Sequence, residues 1–154
     1  MNAGLLCGRQ RLKVDLPESV GMLEMKPMPP LSDPVRAVQE ALSRPIGGRP
    51  LHELAEGKQD ACVVISDFTR PVPNKILLPP LLDTLEAAGI SQDHITILIA
   101  TGMHRPNLGE ELKSLVGARI MDQYPIVNHY CRDPENYRKE DEIDGAPIAV
   151  HPHY

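Results

Sequence analysis

The chain has no tryptophan, one phenylalanine and four tyrosines. It therefore lacks the aromatic platforms on which unpaired bases stack, and its core has to be aliphatic. Basic residues are outnumbered, 16 against 21 acidic ones, for a net charge of −5. That balance argues against duplex nucleic acid or an anionic membrane as the main partner. The cysteines, Cys7, Cys62 and Cys131, are odd in number and far apart. Their spacing fits neither a zinc site nor a redox pair, and it suits the reduced thiols of the cytoplasm. No stretch approaches the ~20 apolar residues of a membrane span, and the start shows no long apolar leader. The expectation is a soluble, non-secreted, cytoplasmic protein.

Proline is the exception to this scarcity, with 16 in 154 residues, about double the usual ~5%. The prolines are spread without a repeat, and most sit at element boundaries, where a fixed φ and a missing N–H are tolerated. The length suits one domain, which buries roughly 70% of its unfolded surface.

Alternation over residues 9–16 predicts a half-buried strand near a sheet edge, closed by Pro17. Residues 21–26 predict a second short strand. Ser32-Asp33-Pro34 reads as a helix start, with Val35, Val38 and Leu42 on one face and Pro45 at the end. A shorter helix is expected over residues 51–56. The run Cys62 to Ile65 reads as a central strand buried on both faces. Pro73 opens a helix carrying Ile76, Leu77, Leu81, Leu82 and Leu85, which Gly89 closes. Pro79 and Pro80 predict a kink or a break within it.

The next strand spans residues 94–100, and Asn107-Leu108-Gly109-Glu110 has the spacing of a helix N-cap facing N3. Residues 125–128 suit a third parallel strand and residues 133–136 a turn. Residues 142–150 read as a hairpin around Asp144-Gly145. The acidic run of residues 139–144 is expected to be a solvated turn; His151 and His153, one residue apart on a terminal strand, have the types to chelate a metal, but a frayed tail is the reading preferred. The fold class expected is α/β, a mostly parallel sheet flanked by helices, Rossmann-like, with an antiparallel edge hairpin.

Two strand-then-loop units carry the chemistry. Residues 61–66 deliver Asp67, Thr69 and Arg70, and residues 95–100 deliver Thr101, Gly102, His104 and Arg105. A helix-length connection between parallel strands brings two such loops together at the carboxyl end of the sheet, where α/β proteins bind ligands. Arg70 offers a planar fork for a carboxylate or phosphate. Asp67 can brace it or accept a hydroxyl, and the plainer alternative is a loop salt bridge between the two. Imidazole is the side chain that exchanges protons near neutrality, which makes His104 a candidate acid/base; a surface histidine is the alternative. His129, near Cys131 but without a third partner in sequence, reads as structural.

Together, Asp67-Phe68-Thr69-Arg70-Pro71-Val72-Pro73 and Ala100-Thr101-Gly102-Met103-His104-Arg105-Pro106 resemble the paired signatures of the nickel-dependent lactate racemase family. Residues 44–54 and 128–134 resemble its first domain as well. The resemblance implies inversion of a small 2-hydroxy acid. A hydride would leave C2 for a nickel-pincer nucleotide and return to either face of the 2-oxo acid. By the same resemblance Arg70 would bind the substrate carboxylate and His104 would be one of two catalytic histidines. Asp67, Thr69, Gly102 and Arg105 would support the site or bind cofactor.

The family's second catalytic histidine, cofactor-tethering lysine and nickel-binding histidine have no counterpart at matching positions. His151 and His153 do not fit that motif, so no metal ligand is assigned in this chain. Residues 1–154 are thus expected to be a single N-terminal α/β domain of a longer two-domain enzyme, inactive alone. It would be completed by the rest of its own chain or by a complementing subunit. The alternative is a non-catalytic anion-binding or regulatory module that uses Arg70 and Arg105 to hold phosphate or carboxylate. A plainer one is a half-domain with exposed apolar surface that exists to pack against the rest of its chain.

Overall fold

The structure, a computed structural model, describes residues 2–8, 10–23 and 25–153, the side chain of Asn136 excepted. It divides into two units, Met1–Pro30 and Leu31–Tyr154.

In the first unit β1 (Asn2–Cys7) pairs antiparallel with β2 (Gln10–Asp15). The strand expected over residues 9–16 is present, with Arg9 outside the described residues. It is more exposed than expected, because only Val14 within β2 is even partly covered. A two-stranded ribbon has no second layer of its own to bury a face. The strand expected over residues 21–26 does not form in the described residues there, and Glu24 lies outside them.

The second unit opens with α1 (Pro34–Ser43). Its N-cap Asp33 accepts a hydrogen bond from the Arg36 N–H at 3.0 Å, and Pro34 sits in the first turn. Both features match the start read from the sequence. The short helix α2 (Leu51–Ala55) follows. Then β3 (Ala61–Ser66), β4 (Ile95–Ala100) and β5 (Ile126–Asn128) form a parallel sheet in the order β3-β4-β5. The connections are α3 (Asn74–Ala87) between the first two strands, and α4 (Gly109–Val116) with α5 (Ala118–Gln123) between the second and third.

Period-two alternation places Ile65, Ile97 and Ile99 on one face of this sheet. There they meet Leu78, Leu82 and Leu85 of α3, Val116 of α4 and Ile120 of α5. Burying side chains of this size stabilises the fold by about 1.5–3 kcal/mol each. Apart from Tyr124 the core is aliphatic, as the scarcity of aromatics leads one to expect.

Two expectations fail in this unit. β3 is an edge strand rather than a central one, since it pairs only with β4 among the described residues and Val64 is 44% exposed. An apolar run shows a preference for burial and does not say which neighbours supply it. Helix α3 runs through Pro79 and Pro80 without a break. The two missing N–H donors leave the carbonyls of Lys75 and Ile76 without their helical partners. Core contacts of Leu78, Leu82 and Leu85 on either side hold the helix together.

Toward the C-terminus β6 (Arg138–Ile143) and β7 (Ala146–Val150) make the expected hairpin as a separate two-stranded sheet. Asp144 and Gly145 both have positive φ, 51° and 80°, which is the backbone that an Asp-Gly hairpin turn uses. The acidic run read as a solvated turn is mostly strand β6, although it is exposed. His151 is buried rather than frayed. Among the described residues no helix is long and apolar enough to cross a membrane.

Candidate active site

Both loops leave the carboxyl ends of adjacent parallel strands, since Ser66 is paired with Ala100 in the register. Asp67 is buried as β3 ends. One of its oxygens, Oδ1, accepts from the Thr69 hydroxyl at 2.6 Å and the Thr69 N–H at 3.3 Å. The other, Oδ2, lies 2.6 Å from His104 Nδ1. Burial pushes the Asp67 carboxyl up, but the hydrogen bonds from Thr69 and His104 outweigh it and the net direction is down. An ionised, buried carboxylate is what remains.

The backbone carbonyl of Asp67 accepts the Arg70 N–H at 3.2 Å, closing a turn. The Asp67–Arg70 salt bridge, one of the two alternatives for this pair, does not form. Asp67 holds Thr69 and His104 instead, and the Arg70 guanidinium is exposed with no hydrogen bond or ion pair among the described residues. His104 keeps half its side chain exposed. With Nδ1 engaged by Asp67, Nε2 is the nitrogen left for proton exchange.

Arg105 behaves differently from Arg70. Its guanidinium makes a two-pronged bond to Glu111, at 2.9 and 2.7 Å, and stacks 4.8 Å over the Phe68 ring. Each partner pulls the other toward its charged form, so Arg105 is raised and Glu111 lowered. Arg105 thus fastens the second loop to the first across Phe68. Gly102 adopts φ 56°, a left-handed backbone that glycine tolerates. It lines a largely apolar cavity of about 370 Å³ with Val64, Leu98, His129 and His151.

Three asparagines have roles that the sequence did not show. Asn107 does not cap a helix; α4 begins at Gly109 with Leu108 as its N-cap residue and no side-chain cap. Fully buried, Asn107 accepts the Phe68 N–H at 3.3 Å and donates to Glu111 at 2.5 Å. Its backbone exchanges hydrogen bonds with the Asn128 side chain, at 2.8 and 3.1 Å. The usable signal was the four-residue spacing of Asn107 and Glu111 in place of the three-residue spacing to Glu110. Asn74, at the first position of α3, is buried with Nδ2 unpartnered among the described residues. Thr101 is buried too, and its hydroxyl donates to the His129 carbonyl, linking the loop after β4 to the end of β5.

His129 also gains partners the sequence did not show, meeting Tyr137 and His151 edge-on at centroid distances of 5.3 and 5.4 Å. Burial lowers the affinity of His151 for a proton, and the neighbouring His129 and His153 add to this. No group of three His, Cys, Asp or Glu among the described residues is arranged to hold a metal ion.

Comparison with known proteins shows the family of the chain. The family profile for the lactate racemase N-terminal domain matches residues 7–152. A lactate racemase of Thermoanaerobacterium thermosaccharolyticum is 42% identical over 99 residues, which are 64% of this chain and 23% of that protein. One of Lactiplantibacillus plantarum is 41% identical over 113 residues, 73% of this chain and 26% of that protein. The solved lactate racemase apoprotein of T. thermosaccharolyticum superposes with a TM-score of 0.82 at 34% identity, covering 98% of this chain and 36% of that one. A Thermotoga maritima protein of solved structure matches with a TM-score of 0.55 at 25% identity, over 70% of this chain and 24% of that one. The chain spans about a quarter of the length of the curated relatives. With the whole parallel sheet and both of its site loops inside the matched region, the chain belongs to the lactate racemase family, as its N-terminal domain.

Proposed function

We propose that this chain is the substrate-carboxylate and proton-handling portion of a lactate-type 2-hydroxy-acid racemase or epimerase. One observation carries the reading: His104 is tied through Nδ1 to the ionised Asp67 at 2.6 Å, while the guanidinium of Arg70, on the same loop as Asp67, has no partner among the described residues. A carboxylate behind an imidazole fixes its tautomer and ring orientation. His104 Nε2 then takes a proton from the substrate hydroxyl and later returns it. Arg70 holds the substrate carboxylate through its planar, two-pronged guanidinium.

Reversible loss of hydride from C2 needs an acceptor, the role a nickel-pincer nucleotide fills in the family this chain resembles. The donors present here do not suit nickel. The imidazole of His104 is committed to Asp67, and no third ligand stands near it among the described residues. The metal and the second acid/base group would therefore come from another part of the enzyme, and the chain alone would not racemise. Arg105 is already neutralised by Glu111, which weighs against an anion-binding module built on two arginines. The aqueous chemistry of a small acid and three free thiols suit a cytoplasmic enzyme.

The test replaces the matching region of the L. plantarum racemase with this chain and follows optical inversion of lactate. Activity should appear in the fusion and be absent from the chain alone. His104→Ala should lower turnover by about 10²-fold or more, with binding of the 2-oxo acid little changed. Full activity of the His104→Ala fusion would remove the assignment.

A further inference from the structure

We propose that Glu111 is the positioning residue of the site: its carboxylate grips the chain neighbours of both Asp67 and His104 and so fixes the contact between those two side chains. Its effect on turnover rests on the proton-handling role proposed above for His104, whereas the contact it fixes does not depend on that role.

The loop that carries His104 has little apolar packing to hold it. Thr101 and Asn107 are buried at its ends, while Gly102, Met103, His104 and Arg105 between them are exposed. Within the loop the His104 N–H donates to the Thr101 carbonyl at 3.0 Å. The first loop is similar, since Asp67 is buried and Phe68, Thr69 and Arg70 after it are exposed. Where side chains are this exposed, dispersion and burial fix little, and polar links have to set where the imidazole stands.

Glu111 supplies those links to both loops. It is the third residue of α4 and is partly buried. Its two oxygens accept from the Arg105 guanidinium at 2.9 and 2.7 Å, and Oε1 also accepts from Asn107 Nδ2 at 2.5 Å. Bonds from Arg105 and then from Asn107 hold the carboxyl in its charged, acceptor-only form. Arg105 follows His104 in the chain. Phe68 follows Asp67, and it is held twice: its N–H donates to Asn107 Oδ1 at 3.3 Å, and its ring lies 4.8 Å beneath the Arg105 guanidinium. Each member of the 2.6 Å contact between Asp67 and His104 thus has its next residue tied, directly or through one partner, to a single carboxylate.

An acid in the first turn of a helix has a plainer use, which is to meet the positive end of the helix dipole. Glu110 stands in the same turn and carries the same charge. Its side chain is 90% exposed and its partner is Lys113, at 3.6 Å. The two acids differ in reach, because Glu111 contacts the second loop and, through Asn107, the first. Glu110→Gln is therefore the matched control for Glu111→Gln. A glutamine at position 111 keeps the shape of the side chain but has one acceptor oxygen, and it turns an amide donor toward the donors of Arg105 or Asn107.

Two readouts test this. In the 154-residue chain, nitrogen-15 signals of the His104 ring, identified by their loss in His104→Ala, report which nitrogen carries the proton. At alkaline pH, where an imidazole is neutral, that choice is set by the hydrogen bonds of the ring. Glu111→Gln should reduce the share of the form protonated on Nδ1 at least about twofold. In the racemase fusion described above it should lower kcat about tenfold, with a smaller change in KM for lactate. Glu110→Gln should leave the tautomer, kcat and KM unchanged. Should Glu111→Gln fail to fold, Arg105→Lys replaces the two-pronged bond by a point contact and should move the tautomer and kcat in the same direction.

A wild-type tautomer in folded Glu111→Gln would overturn the proposal. Equal losses in Glu111→Gln and Glu110→Gln would do so as well, since they would leave only the charge of the helix turn. A raised KM with kcat unchanged would make Glu111 a residue of substrate binding and would likewise remove the positioning role. Full activity of the His104→Ala fusion would remove the catalytic reading while the tautomer comparison still decides the role of Glu111, so the two failures are told apart.

Discussion

Asp67 Oδ2 lies 2.6 Å from His104 Nδ1, joining residues 37 positions apart on neighbouring loops. The same carboxylate takes two hydrogen bonds from Thr69, so His104 is aimed by a buried group that is itself fixed. Loss of that group should affect chemistry before it affects folding.

Asp67→Asn keeps an acceptor for Thr69 but presents an amide to His104, which disfavours the tautomer with a proton on Nδ1. In the racemase fusion, turnover of lactate should fall roughly 10²-fold or more, with little change in KM and an unchanged circular dichroism spectrum. A KM effect alone would mean that Asp67 serves binding rather than proton transfer.

The lowered Asp67 pKa also has a consequence for stability. A carboxyl that ionises more readily when folded stabilises the fold above its unfolded value of ~3.9, and that contribution fades as pH falls through the folded value. Urea unfolding of the native chain and Asp67→Asn should show the largest difference near neutrality. The gap should shrink steadily once the pH drops below about 4. A gap constant from neutral to acid pH would contradict the ionised, paired carboxylate.

Asn107→Ala should destabilise by about 1–3 kcal/mol, because it leaves the part-buried Phe68 N–H without its acceptor and removes a partner of Glu111. Asn128→Ala should do the same through the other side of the link. The double variant should cost less than the sum of the two, since both residues belong to one network. Strict additivity in urea unfolding would show that the two asparagines act separately.

Arg70 and Arg105 should respond differently to lysine. Arg70→Lys in the fusion should raise KM for lactate about tenfold or more, since a point charge replaces a two-pronged donor. Arg105→Lys should lower the unfolding midpoint through loss of the Glu111 bond and the Phe68 stack, with a smaller change in KM. The reverse ranking would make Arg105 the residue that meets substrate.

Local signals made most elements legible in the sequence. Asp33-Pro34 sets a helix start through a cap and a fixed φ. Asp144-Gly145 sets a hairpin turn through positive φ. The apolar runs before Asp67 and Thr101 announced strands, and the paired loops with their family resemblance pointed to Asp67, Arg70 and His104. These features depend on residues within a few positions of one another, which is the range over which capping, turn and periodicity rules act.

What the tertiary structure decided was partnership. Whether Asp67 pairs with Arg70 or His104, and whether Asn107 caps a helix or links Phe68 to Asn128, depend on residues brought together by the sheet register, while the hold of Glu111 on Arg105 depends on how the loop after β4 folds back on α4. Pro79 and Pro80 carry an intrinsic signal for a break, and core packing on both sides overrides it. The position of β3 at an edge is of the same kind. Its sequence states that it prefers burial, while only the strand order shows that it pairs on one side alone among the described residues.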